Sequence, residues 1–308
     1  MIYLKKLNLY IIFVLILFVL TACKGKKNEE VKFEKKEKAP TSLSNIAKDI
    51  QEIMTTAEDL EELIDGTYLE EKSLRKEGKE SGHGGHGGGN GNSQSNSSGS
   101  NGQGESQGQE GNSQSEDKLK TLEEKNKEEE EKRQEKITQA WQAMSKKIKS
   151  LHEGWNSYET EEKKGSLSLE KTDQFSNSLN NLTKSIEDKE ILKVYEYGSQ
   201  CFLNISPMFD LYKDDLGGET NKIKHGVYLA YLRFLEDRIL QGTNILKQLE
   251  SSINNIKLKI GEDQDKIKVV DKINMAIGDM EKAMKENSLK LIRIKRDIVI
   301  DKIKELEK

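Results

Sequence analysis

The stretch ITQAWQAMSKKIKSLHEGWNSY, residues 137–158, decides the fold class of this chain. Its large apolar residues recur at alternating steps of four and three: Ile137, Trp141, Met144, Ile148, Leu151, Trp155 and Tyr158. This spacing places one apolar stripe along an α-helix, and such a stripe must pack against a partner. The stretch therefore predicts a long amphipathic helix that opens a helical domain.

The same spacing continues towards the C-terminus. The next helix carries Phe175, Leu179, Leu182 and Ile186. A denser apolar run covers residues 191–205, and after it Ser206-Pro207 fits the N-cap and first position of a helix. Because Gly217-Gly218 fits a helix stop, the sequence predicts a short helix or a corner over residues 207–216.

Two long helices complete the prediction, at residues 220–260 and 263–308, and neither contains proline. Short connections between amphipathic helices favour antiparallel neighbours. The period-two alternation typical of a sheet is missing from the sequence. We therefore predict an all-α fold in which residues 137–308 form an antiparallel, up-down bundle of four long amphipathic helices and one short helix.

A separate amphipathic helix is predicted for residues 41–77. Its stripe consists of Ile46, Ile50, Ile53, Ala57, Leu60 and Ile64. A single stripe of this kind needs a cover. Either the helix packs on the C-terminal bundle, or it pairs with another molecule.

Residues 78–116 form a low-complexity stretch dominated by Gly, Ser, Asn and Gln, which predicts a disordered linker. Within it, His83 and His86 are weak candidates for binding Zn²⁺ or Cu²⁺. A structural zinc site needs four fixed ligands, so we predict no metal site. Residues 117–136 are mostly Lys and Glu, which predicts a charged helical extension leading into the bundle.

The N-terminus has the organisation of a lipoprotein signal. Lys5 and Lys6 precede an apolar run at residues 9–20, and Leu20-Thr21-Ala22-Cys23 fits a lipoprotein cleavage box. The run is shorter than the about 20 residues that a membrane-spanning helix needs. We therefore expect residues 1–22 to be a signal peptide, Cys23 to carry a covalent diacylglyceryl lipid, and residues 23–40 to be a tether that the lipid holds at a membrane.

The composition and the motifs of the chain argue against two classes of function. Charged residues make up 34% of the chain and its net charge is −4, which gives no case for nucleic-acid binding. No catalytic motif is present, and only four histidines are spread over 308 residues. We therefore predict a protein that is not an enzyme and has no cofactor besides the lipid at Cys23. The other cysteine, Cys201, fits a buried thiol, with dimerisation through a free thiol as the alternative.

Aromatic residues concentrate between residues 195 and 234. Their simplest interpretation is that they form the thick part of the bundle core. The alternative is that some face outward near Pro207 and bind a partner protein, since Tyr and Phe are enriched at interfaces. The candidates for this patch are Tyr197, Phe209 and Tyr212.

The signal ending in Leu20-Thr21-Ala22-Cys23, the Lys/Glu/Asn/Ile-rich composition, the Lys-Glu run at residues 125–136 and the helical pattern resemble the outer-surface lipoproteins of Lyme-disease and relapsing-fever spirochaetes. The long glycine-rich insert is not a general feature of that group. Among site residues, the resemblance extends to Cys23 alone.

The resemblance implies a surface lipoprotein, lipid-anchored to the outer membrane, that binds host proteins such as complement regulators or matrix components. The alternative is a structural or self-associating coiled-coil lipoprotein on the periplasmic side, which would form homo-oligomers. The apolar stripe in residues 41–77 distinguishes the two hypotheses. Packing of the stripe on its own bundle favours the host-binding surface lipoprotein, and dimerisation through it favours the self-associating lipoprotein.

Overall fold

The computed structural model describes the backbone of residues 38–80, 113–162, 168–213 and 215–308. Side chains are described in the same ranges except for residues 66–80 and 113–123. Within these ranges the regular structure is helical and contains no β-strand, which confirms the predicted all-α fold.

The described helices follow one another closely after residue 168. They are α1 (Thr41–Glu80), α2 (Ser113–Glu162), α3 (Leu169–Glu187), α4 (Ile191–Phe209), α5 (Gly217–Leu235), α6 (Ile239–Gln248), α7 (Glu250–Ile260), α8 (Gln264–Ala283) and α9 (Leu289–Leu306). Leu249 joins α6 to α7 with nearly helical angles (φ −68°, ψ −15°), so these two helices run in the same direction.

Contacts between neighbouring helices give their directions. Ser42 Oγ, at the start of α1, donates to Glu161 near the end of α2 (2.8 Å), whereas Asp49 further along α1 pairs with Lys147 earlier in α2 (3.2 Å). These two helices are therefore antiparallel. Helix α8 is likewise antiparallel to α6–α7, as the ion pairs Lys247–Glu281 and Lys257–Asp271 show. It is also antiparallel to α9, as the ion pairs Lys272–Glu305 and Asp279–Lys295 show.

The up-and-down course places the connections at two opposite ends. The N-terminal end holds residues 38–42, the connection after α4, the 261–263 turn and the chain end at 307–308. The far end holds the turns at 188–190, 236–238 and 284–288. Because α1 runs away from the N-terminal end and α2 returns to it, the end of α1 and the start of α2 both lie on the side of the far end.

Helix α1 belongs to this bundle and packs mainly on α2 and α4. Its stripe is almost completely buried, and every one of the following residues is at most 1% exposed: Leu43, Ile46, Ile50, Ile53, Met54, Ala57 and Leu60. Only Ile64, at the end of the stripe, is exposed, at 38%. The apolar stripe of α1 is therefore covered by the protein's own core, which answers the question that the sequence left open.

The interpretation of Ser206, Pro207 and the glycine pair is wrong. Pro207 lies inside α4, where Ser206 Oγ donates to the Phe202 carbonyl (2.7 Å) instead of capping a helix. Gly217-Gly218 begins α5 and does not end a helix. A Cβ at position 217 would lie 2.4 Å from the Phe209 ring, so close contact with the preceding helix requires the glycine.

The prediction of two long C-terminal helices is also wrong, because a turn breaks each of them. Asp237 (φ 59°) and Asn287 (φ 48°) adopt left-handed backbone angles in these turns, and Lys189 (φ 55°) does so between α3 and α4. The bundle thus consists of more and shorter helices than predicted. The breaks at 236–238 and 284–288 contain neither glycine nor proline, so the sequence carries no strong signal for them.

The turn at Lys189 gives a stability prediction. Two capping hydrogen bonds hold its left-handed angles, from Glu190 N to Ser185 O (2.9 Å) and from Lys189 N to Ile186 O (3.2 Å). Glycine adopts such angles without Cβ strain, so we expect Lys189→Gly to raise the free energy of unfolding by about 0.5–1 kcal/mol. Urea denaturation of residues 24–308, which include every described residue, measures this.

The control is Lys184→Gly, a change of the same residue types inside α3. Glycine within a helix costs about 1 kcal/mol, so this variant should be less stable than the unchanged protein. If both substitutions destabilise the protein to a similar extent, the left-handed turn is not a source of strain.

Candidate functional site

The aromatic residues proposed as a partner-binding patch do not form one. Phe209 is 4% exposed and Tyr212 is 1% exposed, and Tyr212 Oη donates to Glu162 Oε1 (2.8 Å). Tyr197 is half-buried and packs against the core. Phe209 and Tyr212 are core residues, as the simpler interpretation of the aromatic cluster holds, because the end of α4 packs inward against the start of α5.

Three predicted site residues, Cys23, His83 and His86, lie outside the described residues. Cys201 is buried, and burial raises the pKa of its thiol to about 12. This confirms the interpretation of Cys201 as a buried thiol, out of reach of a second chain. Within the described ranges, no three His, Cys, Asp or Glu side chains are grouped so that they could hold a metal ion.

A buried network of charged and aromatic side chains joins α1 to α4, α5 and α9. At its centre, Glu61 of α1 accepts hydrogen bonds from Tyr195 Oη (2.9 Å) and Tyr231 Oη (2.5 Å). Arg293 of α9 pairs with the same carboxylate (2.8 Å) and also with Asp65 of α1. One carboxylate on α1 is therefore held by side chains from three other helices.

Arg296 is the most deeply buried charge of this network, with its side chain 1% exposed. The guanidinium lies 4.5 Å from the centre of the Tyr231 ring, and its nitrogens are 3.5 Å from oxygens of both Glu61 and Glu58. It also donates to Asp297 (2.8 Å). A buried arginine is tolerated only when carboxylates and aromatic faces replace its water, and here α1 supplies two of the carboxylates.

Glu58 has fewer hydrogen-bond and ion-pair partners than Glu61. Tyr228 Oη donates to Glu58 Oε1 (2.8 Å), and Gln51 Nε2 donates to the same tyrosine oxygen (3.1 Å). Burial, the largest cause, raises the pKa of the Glu58 carboxyl to about 7, although Arg296 opposes this effect. Glu58 therefore titrates in the neutral range, where an ordinary glutamate is fully ionised.

No motif in the sequence marks this network, because each of its residues has an ordinary local explanation. The three tyrosines belong to the aromatic cluster whose simplest interpretation is bundle core. The available signal was a charge on an apolar face: Arg296 stands four residues after Ile292 and four before Ile300, both of which are buried. Glu61 likewise stands four residues after the buried Ala57.

A second feature, the leucine groove, is exposed at the far end between the start of α4 and the end of α5. It encloses about 100 Å³. It is lined by four leucines, Leu192, Leu229, Leu232 and Leu235, and by two residues of each charge, Lys193, Arg233, Glu196 and Glu236. Leu192 is 53% exposed. Surfaces at which proteins bind other proteins likewise combine apolar and charged side chains.

Comparisons of the chain with protein-family models, with curated proteins and with solved structures give no match. Among the helices of the described ranges, none is both long enough and apolar enough to cross a membrane.

The buried arginine gives a second stability prediction. Replacing Arg296 with methionine keeps an unbranched apolar stem but removes the guanidinium, which leaves Glu58 and Glu61 without their shared cation. Breaking a buried pair on one side costs about 3–5 kcal/mol, so Arg296→Met should lower the free energy of unfolding by about that amount. Urea denaturation measures the change, and adding Glu61→Gln should restore part of it.

Arg238→Met is the matched control, because the Arg238 side chain is 54% exposed and pairs with Glu236 at the surface. Exposed pairs contribute about 0–1 kcal/mol, so this variant should behave like the unchanged protein. Equal effects of the two arginine substitutions would contradict a structural role for the network.

Proposed function

We propose that this chain is a lipid-anchored bacterial surface lipoprotein that acts as a non-enzymatic protein-binding module directed at host proteins such as complement or matrix components. The observation that carries the proposal is the burial of the α1 stripe inside the chain's own bundle. Because this stripe is already covered, it is not available to pair copies of the chain. That favours a self-contained module over a coiled-coil assembly.

The positions of the two ends support the same proposal. Residues 38–40 lead into α1 at the N-terminal end, and the leucine groove lies at the far end. Helix α1 has 40 residues, which at 1.5 Å per residue gives a length of about 60 Å. The groove therefore lies at the end of the bundle opposite to the one at which α1 begins.

The second candidate is a structural or self-associating lipoprotein on the periplasmic face. One observation favours it: Ile294 and Ile298, one turn apart on α9, are 46% and 39% exposed. An apolar pair on an outward helix face is suited to contact with another protein surface. This surface is smaller than the stripe that α1 has already buried, so we rank the candidate second.

Protease treatment of intact cells that make the full-length protein tests the proposed location. We expect added protease to remove the full-length band rapidly, because a surface-displayed chain exposes the Gly- and Ser-rich residues 81–112 outside the cell. A periplasmic marker protein should stay intact in the same sample. Protection of the chain until the outer membrane is broken would overturn the surface proposal and favour the periplasmic candidate.

The leucine groove gives a prediction about binding. In surface plasmon resonance against purified complement regulators and matrix proteins, Leu192→Asp should weaken any specific binding by about 30-fold or more. A central apolar contact of an interface is worth about 2 kcal/mol or more. Leu258→Asp is the control, because Leu258 is 81% exposed but lies near the N-terminal end. Equal loss with both variants would show that the groove is not the contact surface.

A further inference from the structure

The buried network contains more negative than positive groups. Its carboxylates are Glu58, Glu61, Asp65 and Asp297, and its guanidiniums are Arg293 and Arg296. With every group ionised, two negative charges have no cation within the network. Asp65 and Asp297 are 37% and 41% exposed, so water screens their charges. Glu58 and Glu61 are 13% and 9% exposed and depend on the protein instead.

Of these two carboxylates, Glu58 has fewer partners. Glu61 accepts from two tyrosines and pairs with both arginines. Glu58 accepts one hydrogen bond, from Tyr228, and lies 3.5 Å from a nitrogen of Arg296, which it shares with Asp297 and Glu61. When ionised, Glu58 is therefore the least compensated buried charge of the network.

The helices around Glu58 bring no further cation into contact with it in the described part of the chain. Helix α5 presents the neutral Tyr228 and Tyr231, and α4 presents Tyr195. On α9, Lys304 acts on Glu58 only at longer range and pairs with Asp301 (3.2 Å). On α2, Lys147 pairs with Asp49 and Glu52 of α1, further along the helix. An ionised Glu58 therefore has Arg296, at 3.5 Å and shared with Glu61 and Asp297, as its one nearby cation in the described part of the chain.

We propose that Glu58 is a proton-dependent latch that holds α1 against α5 and α9. With the proton on, Glu58 is a neutral hydrogen-bonding group between Tyr228 and Arg296. When the proton leaves to solvent, the least compensated carboxylate of the network carries a buried negative charge at the junction of the helices, and α1 is held less tightly. This inference goes beyond the proposed function and does not depend on it.

The direction of the pH effect follows from thermodynamic linkage. The pKa of Glu58 is raised by burial from its ordinary value of 4.5 to about 7 in the folded chain. A group with a raised folded pKa stabilises the fold fully below its unfolded pKa, and this contribution is lost as the pH rises through the folded pKa. The latch is therefore closed at pH 6 and open at pH 8.

The latch matters because of what α1 connects. Its first residue follows the segment that leads back to Cys23, and its last residue leads into the 81–112 insert. A rise in pH through neutrality would thus loosen the helix that links these two segments along the chain.

The test compares residues 24–308 with the Glu58→Gln variant by urea denaturation at pH 6 and pH 8. Glutamine resembles the protonated side chain at every pH. From pH 6 to pH 8 the folding equilibrium constant of the unchanged protein should fall by about tenfold relative to that of Glu58→Gln. Glu62→Gln, an exposed position on the same helix, should keep the pH dependence of the unchanged protein. Parallel pH dependence in the unchanged protein and Glu58→Gln would overturn the proposal.

Native-state hydrogen exchange of the unchanged protein gives an independent readout. After correction for intrinsic exchange rates, the protection of amides in α1 between residues 50 and 61 should fall from pH 6 to pH 8 more than that of α8, which has no part in the network. An equal change in both helices would overturn the latch, because a local release of α1 cannot loosen α8 to the same extent.

Discussion

The buried guanidinium of Arg296 is the constraint on which the placement of the helices depends. A charge that is 1% exposed is tolerated only if opposite charges and hydrogen bonds replace the water it loses. Two of those carboxylates come from α1, and Glu61 is 235 residues away in sequence. A shift of α1 by one residue turns its side chains by about 100° and removes both carboxylates from the arginine. The network therefore selects one register of α1 among those that its apolar stripe allows.

This register positions the rest of the N-terminal half. With α1 in this register, its antiparallel partner α2 follows through contacts such as Asp49–Lys147. Helix α1 then begins at one end of the bundle and runs towards the opposite end, and α2 returns beside it. The placement of these two helices is thus a consequence of how one buried charge is neutralised.

The buried network stabilises the fold and at the same time makes its stability depend on pH. Apolar side chains of similar volume could fill this space without any charge, and such replacements often stabilise proteins. The network instead keeps two carboxylates close to one buried arginine and places one of them, Glu58, where it is poorly compensated. A poorly compensated carboxyl group lowers the stability of the fold only at pH values at which it is ionised. A packing defect, in contrast, lowers the stability at every pH.

The sequence by itself determined the all-α class and most of the core, because the 3.6-residue period is a local property that Ile46 to Leu60 and Trp141 to Tyr158 show directly. The tertiary structure alone decided that Phe209 and Tyr212 are buried and that the chain reverses at Asp237 and Asn287. It also decided that Glu61 and Arg296 meet. These features depend on which distant segments pack together, and a local pattern of residues does not specify its neighbours in space.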